Sequence, residues 1–379
     1  MEIIMNKWTH ISIGVIPILV GCQSGVIPGP PSAKIGSGSY HGVALKPDGS
    51  VWTWGANFQG QLGDGSTVDR ATPAQVMLSM DVIAVAGGYS HTLALKSDGT
   101  ISAWGYNSDG QLGDGSMTDR YGPVPTMGIS DATAVAAGPY HSIAIKSDGT
   151  AWAWGHNLYG QLGDGTTTDR DLPVQVSGIT DVVFVAAGGD HTLAIKTDGT
   201  LWAWGENNEG QLGDGTTTDR PTPVQVSGIA DVMAVAAGDE HTAALKTDGT
   251  LWTWGENSKG QLGDASIVDH EVPMQVASLS NVIAIACGYE HSAALTSDGT
   301  VWVWGNNGDG QVGDGTSTDR TIPIPVAGLT NAVAIATGEY HTVALLSNGQ
   351  LWTWGQNANG QLGDGTTTDS LVPVQANWP

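Results

Sequence analysis

Residues 182–205 read Val182-Val-Phe-Val-Ala-Ala-Gly188, Gly-Asp-His191-Thr-Leu-Ala-Ile-Lys196, Thr-Asp-Gly-Thr200 and Leu201-Trp-Ala-Trp-Gly205. Three short apolar runs are separated by turn residues. Asp-Gly between two of them marks a hairpin, because glycine accepts the positive φ that a tight turn needs. The first run is built from small residues, as suits a strand crowded near an axis. A fourth run, Pro223–Val226, follows a polar loop, and proline is tolerated there if the strand lies on an outer edge.

This unit recurs along the chain. Histidine stands at 41, 91, 141, 191, 241, 291 and 341, a constant spacing of 50 residues. Four strands per repeat of this length is the pattern of a propeller blade. The sequence therefore predicts an all-β, seven-bladed β-propeller with four-stranded blades over residues 32–379. The chain stops after Val372–Ala376, and a strand-like segment, Ser32–Gly38, precedes the first His. We therefore expect the N-terminal strand to join the last blade and close the ring.

Composition agrees with an all-β chain. There are 55 Gly and 15 Trp among 379 residues, and many Val, Thr and Ala. The formal net charge is −24, so phosphate backbones are repelled and nucleic acid is excluded as a partner. Cationic partners remain open. Two cysteines make no disulfide framework. Cys287 stands where other repeats carry Gly87, Ala137, Ala187, Ala237 and Thr337, so it reads as a small core residue.

Cys22 reads differently. Lys7 precedes an apolar run ending in Leu19-Val20-Gly21-Cys22, too short to span a bilayer as a mature helix. The ending resembles the lipobox of bacterial lipoproteins, which implies cleavage before Cys22 and lipidation of it. Residues 1–21 are thus expected to be a signal peptide, with Met1 or Met5 as start. Residues 22–31 then form a Gly/Pro-rich tether, and the protein is an exported, membrane-anchored lipoprotein of the cell envelope, held by lipid alone.

The repeat resembles the regulator of chromosome condensation repeat family. Gly238-Asp-Glu-His241-Thr-Ala-Ala-Leu245, Asp248-Gly-Thr-Leu-Trp-Thr-Trp-Gly255 and Asn257-Ser-Lys-Gly-Gln-Leu-Gly263 carry the likeness, which extends over residues 32–379. It implies the propeller fold. It also implies, as one alternative, a guanine-nucleotide exchange-type regulator. The family's founder inserts a wedge in one blade, whereas here all seven His are evenly spaced.

The same candidate chemistry recurs in each repeat. One His per blade points to a structural role, a hydrogen bond to neighbouring backbone, rather than to a pocket. The loop Gly213-Asp-Gly-Thr-Thr-Thr-Asp219-Arg220 lacks the alternating oxygen set of a calcium loop. Turn formation and Asp–Arg pairing account for it, so no metal and no cofactor are expected. Trp202 and Trp204, two apart on one strand, are expected to pack between blades.

What differs between repeats is the more informative signal. Residues before each His and after each Trp-Gly emerge on one face, opposite the Asp-Gly turns. Blades one to three place Tyr40, Phe58, Tyr89, Tyr106, Tyr140, His156, Leu158 and Tyr159 there. Blades four to seven place Asp190, Glu206, Glu209, Asp239, Glu240, Glu256, Glu290, Asp309 and Glu339, with Tyr289 and Tyr340. Seven of the eight tyrosines in the chain lie on this face; Tyr121 does not. We expect a partner-binding face, half aromatic and half acidic, on a monomeric scaffold that is not an enzyme. Its partner would be a protein with a basic surface, or second a glycan. The competing reading is a glycan-active enzyme at the propeller mouth.

Overall fold

The computed structural model describes residues 24–25, 34–79 and 81–378. It contains seven antiparallel sheets, each with four strands consecutive in sequence, and the last carries a fifth short strand, Ser24–Gly25. The fourth blade is Val182–Ala187, His191–Lys196, Leu201–Gly205 and Arg220–Gln225, from the axis outward. The expected all-β seven-bladed propeller is therefore the fold. The outer strand begins three residues earlier than its sequence suggests, because Arg220 pairs with Gly205 across a bulge. Pro223 occupies this edge strand.

The hairpin turn forms as its residues require. Gly199 sits at φ 77°. The Asp198 carboxylate accepts from both the backbone and the hydroxyl of Thr200, which pins the turn. Lys46, Lys96, Lys146, Lys196 and Lys246 end or follow their His strands at these turns, so this end of the ring is rich in lysine.

Ring closure differs from expectation. Lys34–Ser37 pairs with His41–Leu45 and is the innermost strand of the first blade, not of the last. Every repeat already carries its own inner strand ahead of its His, so the last blade is complete without borrowing one. An N-terminal pairing with the last blade does exist, made by Ser24–Gly25 against Ala336 and Ile335.

Blades are joined by a repeated polar junction. The His141 Nε2 lies 2.9 Å from the Thr192 hydroxyl of the next blade. Thr192 donates its proton to the carbonyl of Gln161. Trp204 Nε1 donates to the same carbonyl at 2.9 Å. With its proton committed, the Thr192 oxygen accepts, so Nε2 of His141 carries the hydrogen. The expected structural role of the histidines holds, but their partner is a hydroxyl of the next blade rather than backbone. The same His-to-hydroxyl contact occurs at the other junctions.

The junction between the last and first blades shows the constraint most clearly. Gly42 stands where Thr92 stands in the second blade, so the hydroxyl is missing there. Ser37, cross-strand neighbour of Gly42, supplies it to His341 at 2.9 Å. Trp54 still donates to Gln361 of the last blade. Beyond the last strand, Trp378 packs on Trp52 and Trp54 of blade one.

The Gly-x-x-His spacing also has a steric cause. A Cβ on Gly188 would meet the His191 ring at 2.3 Å and the Gly238 carbonyl at 2.6 Å. Apolar packing fills the space between blades. Trp204 is fully buried in a core cluster, whereas Trp202 is only half-buried, with Lys196 over its ring. Cys287 is buried in the core, as expected.

Two outcomes follow from this packing. Trp204→Ala should cost about 3–5 kcal/mol, the range for emptying a buried aromatic site, and Trp202→Ala distinctly less, read from urea midpoints. Ser37→Ala should cost about 1–3 kcal/mol by leaving His341 without its acceptor; an unchanged midpoint would remove the closure role assigned to Ser37.

Candidate functional site

Pairing of His191 with Gly205 brings the start of the His strand beside the end of the Trp strand. The Glu206 amide then donates to the Asp190 carbonyl, holding the two loop starts together. All blades repeat this, so the residues before His and after Trp-Gly share one face, as expected.

Around the axis of that face, the residues two before each His are laced by backbone hydrogen bonds. Tyr89 donates to Pro139, Gly189 to Asp239, Asp239 to Tyr289, Tyr289 to Glu339 and Glu339 to Ser39. Proline has no N–H, so Pro139 interrupts the circle. The result is a rigid rim that fixes where its side chains start.

Six of these residues, with Tyr140, line a cavity of about 260 Å³ at the pore mouth: Ser39, Tyr89, Pro139, Asp239, Tyr289 and Glu339. The tyrosines form a continuous strip. Tyr289 lies 5.7 Å from Tyr340, Tyr340 6.3 Å from Tyr40, and Tyr40 5.4 Å edge-on from Tyr89. Tyr89 stacks on Tyr140 at 5.4 Å, and Tyr106 meets Tyr140 at 6.2 Å. The aromatic arc thus runs from blade six through blades seven and one to blade three, wider than the three blades where the sequence concentrates it.

Acidic residues complete the circle. Asp190, Glu206, Asp239, Glu240 and Glu290 belong to blades four to six. Glu206 is nearly buried and the others are half-buried. Burial, with the neighbouring charges of Glu240, Asp190 and Glu339, pushes Asp239 up to about 8, although a Tyr289 hydrogen bond opposes this. Burial and nearby carboxylates push Glu206 and Glu240 up to about 7 each. Glu339 is only 7% exposed. The hydroxyls of Tyr340, Tyr40 and Ser39 address its carboxylate, yet its Oε2 has no hydrogen-bond partner.

Phe58 and Tyr159 stand apart: both lie in loops after the Trp strand, and among the described residues neither makes a ring contact with the strip. Phe58 is exposed, and the hydroxyl of Tyr159 is raised chiefly by the Glu206 charge. Sequence reading passed over three details. Ser39 and Pro139 line the cavity although neither is aromatic or acidic. His156 meets Tyr140 edge-on at 6.3 Å, as its place among the aromatics suggests, and is also an ion-pair partner whose Nδ1 lies 3.1 Å from Asp190, which holds the imidazole above its usual value. Chain position relative to His was the available signal, since the residues two before it line the cavity in six blades. Cys22 lies outside the described residues.

The two other candidate chemistries are absorbed by structure. Among the seven repeat histidines, burial pushes all down, His41 to about 3 and His141 to about 4, so they are neutral near pH 7. In the polar loop, Asp214 accepts from the backbone and hydroxyl of Thr216 and pairs with Arg220 at 2.7 Å. Asp219 accepts the Asn207 amide at 2.9 Å. These carboxylates hold the loop, as the turn and Asp–Arg reading expected.

These shifts set a pH dependence of folding. The histidines have depressed folded values, so the unfolded chain takes up more protons below about 6.5 and stability falls with acid. Asp239, Glu206 and Glu240 have raised folded values, so the folded chain holds more protons above the usual carboxylate range, and stability falls as pH rises toward 8. The melting temperature should therefore peak near neutrality. Asp239→Asn should flatten the alkaline limb above about pH 6.5, where the histidines no longer contribute; an unaltered alkaline limb would contradict the assignment.

Comparison with known proteins places this architecture. The model of the RCC1-like domain matches residues 170–378. Regulator of chromosome condensation (RCC1) repeat models match residues 48–95 and 98–145, and 33–61, 82–111 and 132–161. Among solved structures, human WBSCR16 is 26% identical with a TM-score of 0.79, over 87% of this chain and 94% of that one. Yeast RCC1 (Prp20), solved with Kap60, is 22% identical with a TM-score of 0.78, over 100% of this chain and 91% of that one. Prp20p from Saccharomyces cerevisiae in a second structure is 24% identical with a TM-score of 0.76, over 96% and 88%. The matched repeats, the seven blades and the Gly-x-x-His junctions together make this chain a member of the RCC1-like domain family.

Proposed function

We propose that this propeller is a binding scaffold and not an enzyme, and that it takes a protein partner bearing basic groups on the pore-mouth face. One observation carries the reading: six tyrosines form an unbroken strip around the mouth, beside the carboxylates of Asp190, Glu206, Asp239, Glu240 and Glu290. Tyrosine supplies large contact area at low entropic cost and a hydroxyl for specificity. Acidic side chains steer a basic partner and raise the association rate. The backbone rim holds both sets in place before binding, which lowers the cost of ordering them.

A protein partner is in keeping with yeast Prp20, whose structures concern binding to Kap60, Gsp1p and histones. That likeness is one of fold, and the present reading rests on the tyrosines. An exchange-type activity is not favoured, because the even spacing of 50 leaves no inserted wedge. We further propose an envelope location through a lipid on Cys22, supported by the order of Lys7, the apolar run and Leu19-Val20-Gly21-Cys22.

Capture from an envelope extract tests the face. The unmutated chain should retain a partner that the Tyr89→Ala, Tyr140→Ala double variant loses, with melting temperatures within a few degrees. Equal retention by both would remove the strip from the site. For the anchor, Cys22→Ala should move the protein from the membrane to the soluble fraction; unchanged partition would contradict lipidation at that residue.

A further inference from the structure

We infer that the cavity at the pore mouth seats a single organic ammonium group on an aliphatic stem, the chemistry of a lysine tip; as a protein-borne group this rests on reading the surrounding face as a partner surface. The walls have two kinds of material. Tyr89, Tyr140 and Tyr289 contribute aromatic surface, and Asp239 and Glu339 contribute carboxylates. Aromatic faces attract ammonium groups through their quadrupole, more strongly where water is excluded.

Glu339 supplies the independent sign of a ligand. It is buried to within 7% of full burial, it lines the cavity, and its Oε2 has no partner. A buried polar atom without a hydrogen bond is costly. Glu339 lines the cavity, and a turn of its carboxylate, whose Oε2 is closed to water, would let a donor arriving through the mouth satisfy it. Asp239 stands on the same cavity with Tyr289 as its hydrogen-bond donor. The charged groups that act on Asp239 are Glu240, Asp190 and Glu339, all carboxylates. An ammonium seated between Asp239 and Glu339 offsets repulsion that the fold otherwise carries.

Size and donor set narrow the class. Pockets for drug-sized ligands run to about 300–1,000 Å³. At about 260 Å³ this one suits a single side chain. Calcium takes about six to eight oxygen ligands, whereas the charged donors here are two carboxylates within a tyrosine wall. A flat guanidinium prefers one carboxylate in a two-pronged contact. A compact ammonium with three donors can serve the two acids, which come from different blades.

The test uses the full chain and titration calorimetry. Nα-acetyl-lysine methylamide should bind saturably at one site, and the norleucine equivalent, of the same shape without the charge, should not. Affinity for the amine should rise between pH 6 and pH 8.5 as Asp239 loses its proton, and Glu339→Gln should weaken it ten-fold or more. Binding of the norleucine compound as tightly, or no saturable binding of the amine, would overturn the inference. If Glu339→Gln fails to fold, the charged-against-neutral pair and the pH profile on the unmutated chain still decide. A lysine-bearing peptide that binds more tightly than the free amide assigns the group to a protein. Equal affinity assigns it to a small organic amine and overturns the protein-borne form. Partner capture that depends on Tyr89 and Tyr140, without amine binding, would sink this inference and leave the face standing.

Discussion

The structure depends on one carbonyl per junction. Gln161 O receives the Thr192 hydroxyl and the Trp204 indole from the next blade, while His141 donates to that same hydroxyl. The Gln161 carbonyl, the Thr192 hydroxyl, the Trp204 indole and Nε2 of His141 are thereby paired in a space closed to water. Each would be costly alone, since buried polar atoms must be paired. Met together, they fix the rotation of one blade on the next and leave the surrounding volume to alanine, valine and leucine. Where the repeat loses its hydroxyl at Gly42, Ser37 restores it from the neighbouring strand. The restoration shows that the constraint lies in the junction and not in any one position. It also explains why seven histidines exist without forming a site: each is buried, neutral and committed to its neighbour.

A ring so strongly determined frees its mouth to vary. The residues before each His hang from a backbone circle that only Pro139 interrupts. Tyrosine, proline, glycine, aspartate and glutamate therefore all occupy equivalent places. Function can be written there without disturbing the fold, the usual relation of loops to a rigid scaffold. Two sets of residues result. Those two before His, in six of the seven blades, line the axial cavity together with Tyr140, and the loop starts beyond Trp-Gly stand alongside them on the same face. Lysines and aspartates share the opposite turns, so acid occurs at both ends of the axis and the tyrosine strip marks only one.

Much of this was legible in the residues. Period, strand pairs and blade number follow from the spacing of His and the Asp-Gly hairpins, because both are local and repeated. The shared face followed too, since antiparallel pairing places the residues before His beside those after Trp-Gly. Closure was misread because Ser32–Gly38 was not given the place that the axial run Val182–Ala187, ahead of His191, holds in its own repeat. Lys34–Ser37 therefore looked like a missing end when it was the start of blade one. The roles of Ser39, Pro139 and His156 escaped for a different reason. They arise from contacts between neighbouring blades, 34 positions apart for His156 and Asp190 and 300 for the Glu339–Ser39 hydrogen bond across the closure. Nothing in one repeat announces that meeting.

The central claim is that the pore-mouth face meets a basic partner. Zero-length carbodiimide cross-linking in a native envelope extract reads it directly, by joining carboxylates to lysines that touch them. Mapping the joined residues by mass spectrometry should find Asp190, Glu206, Glu240 and Glu290 linked to another protein. The exposed turn residues Asp98, Asp148, Asp198 and Asp248, on the opposite face, should stay free. Links concentrated on those turns instead, with the mouth unmodified, would contradict the account.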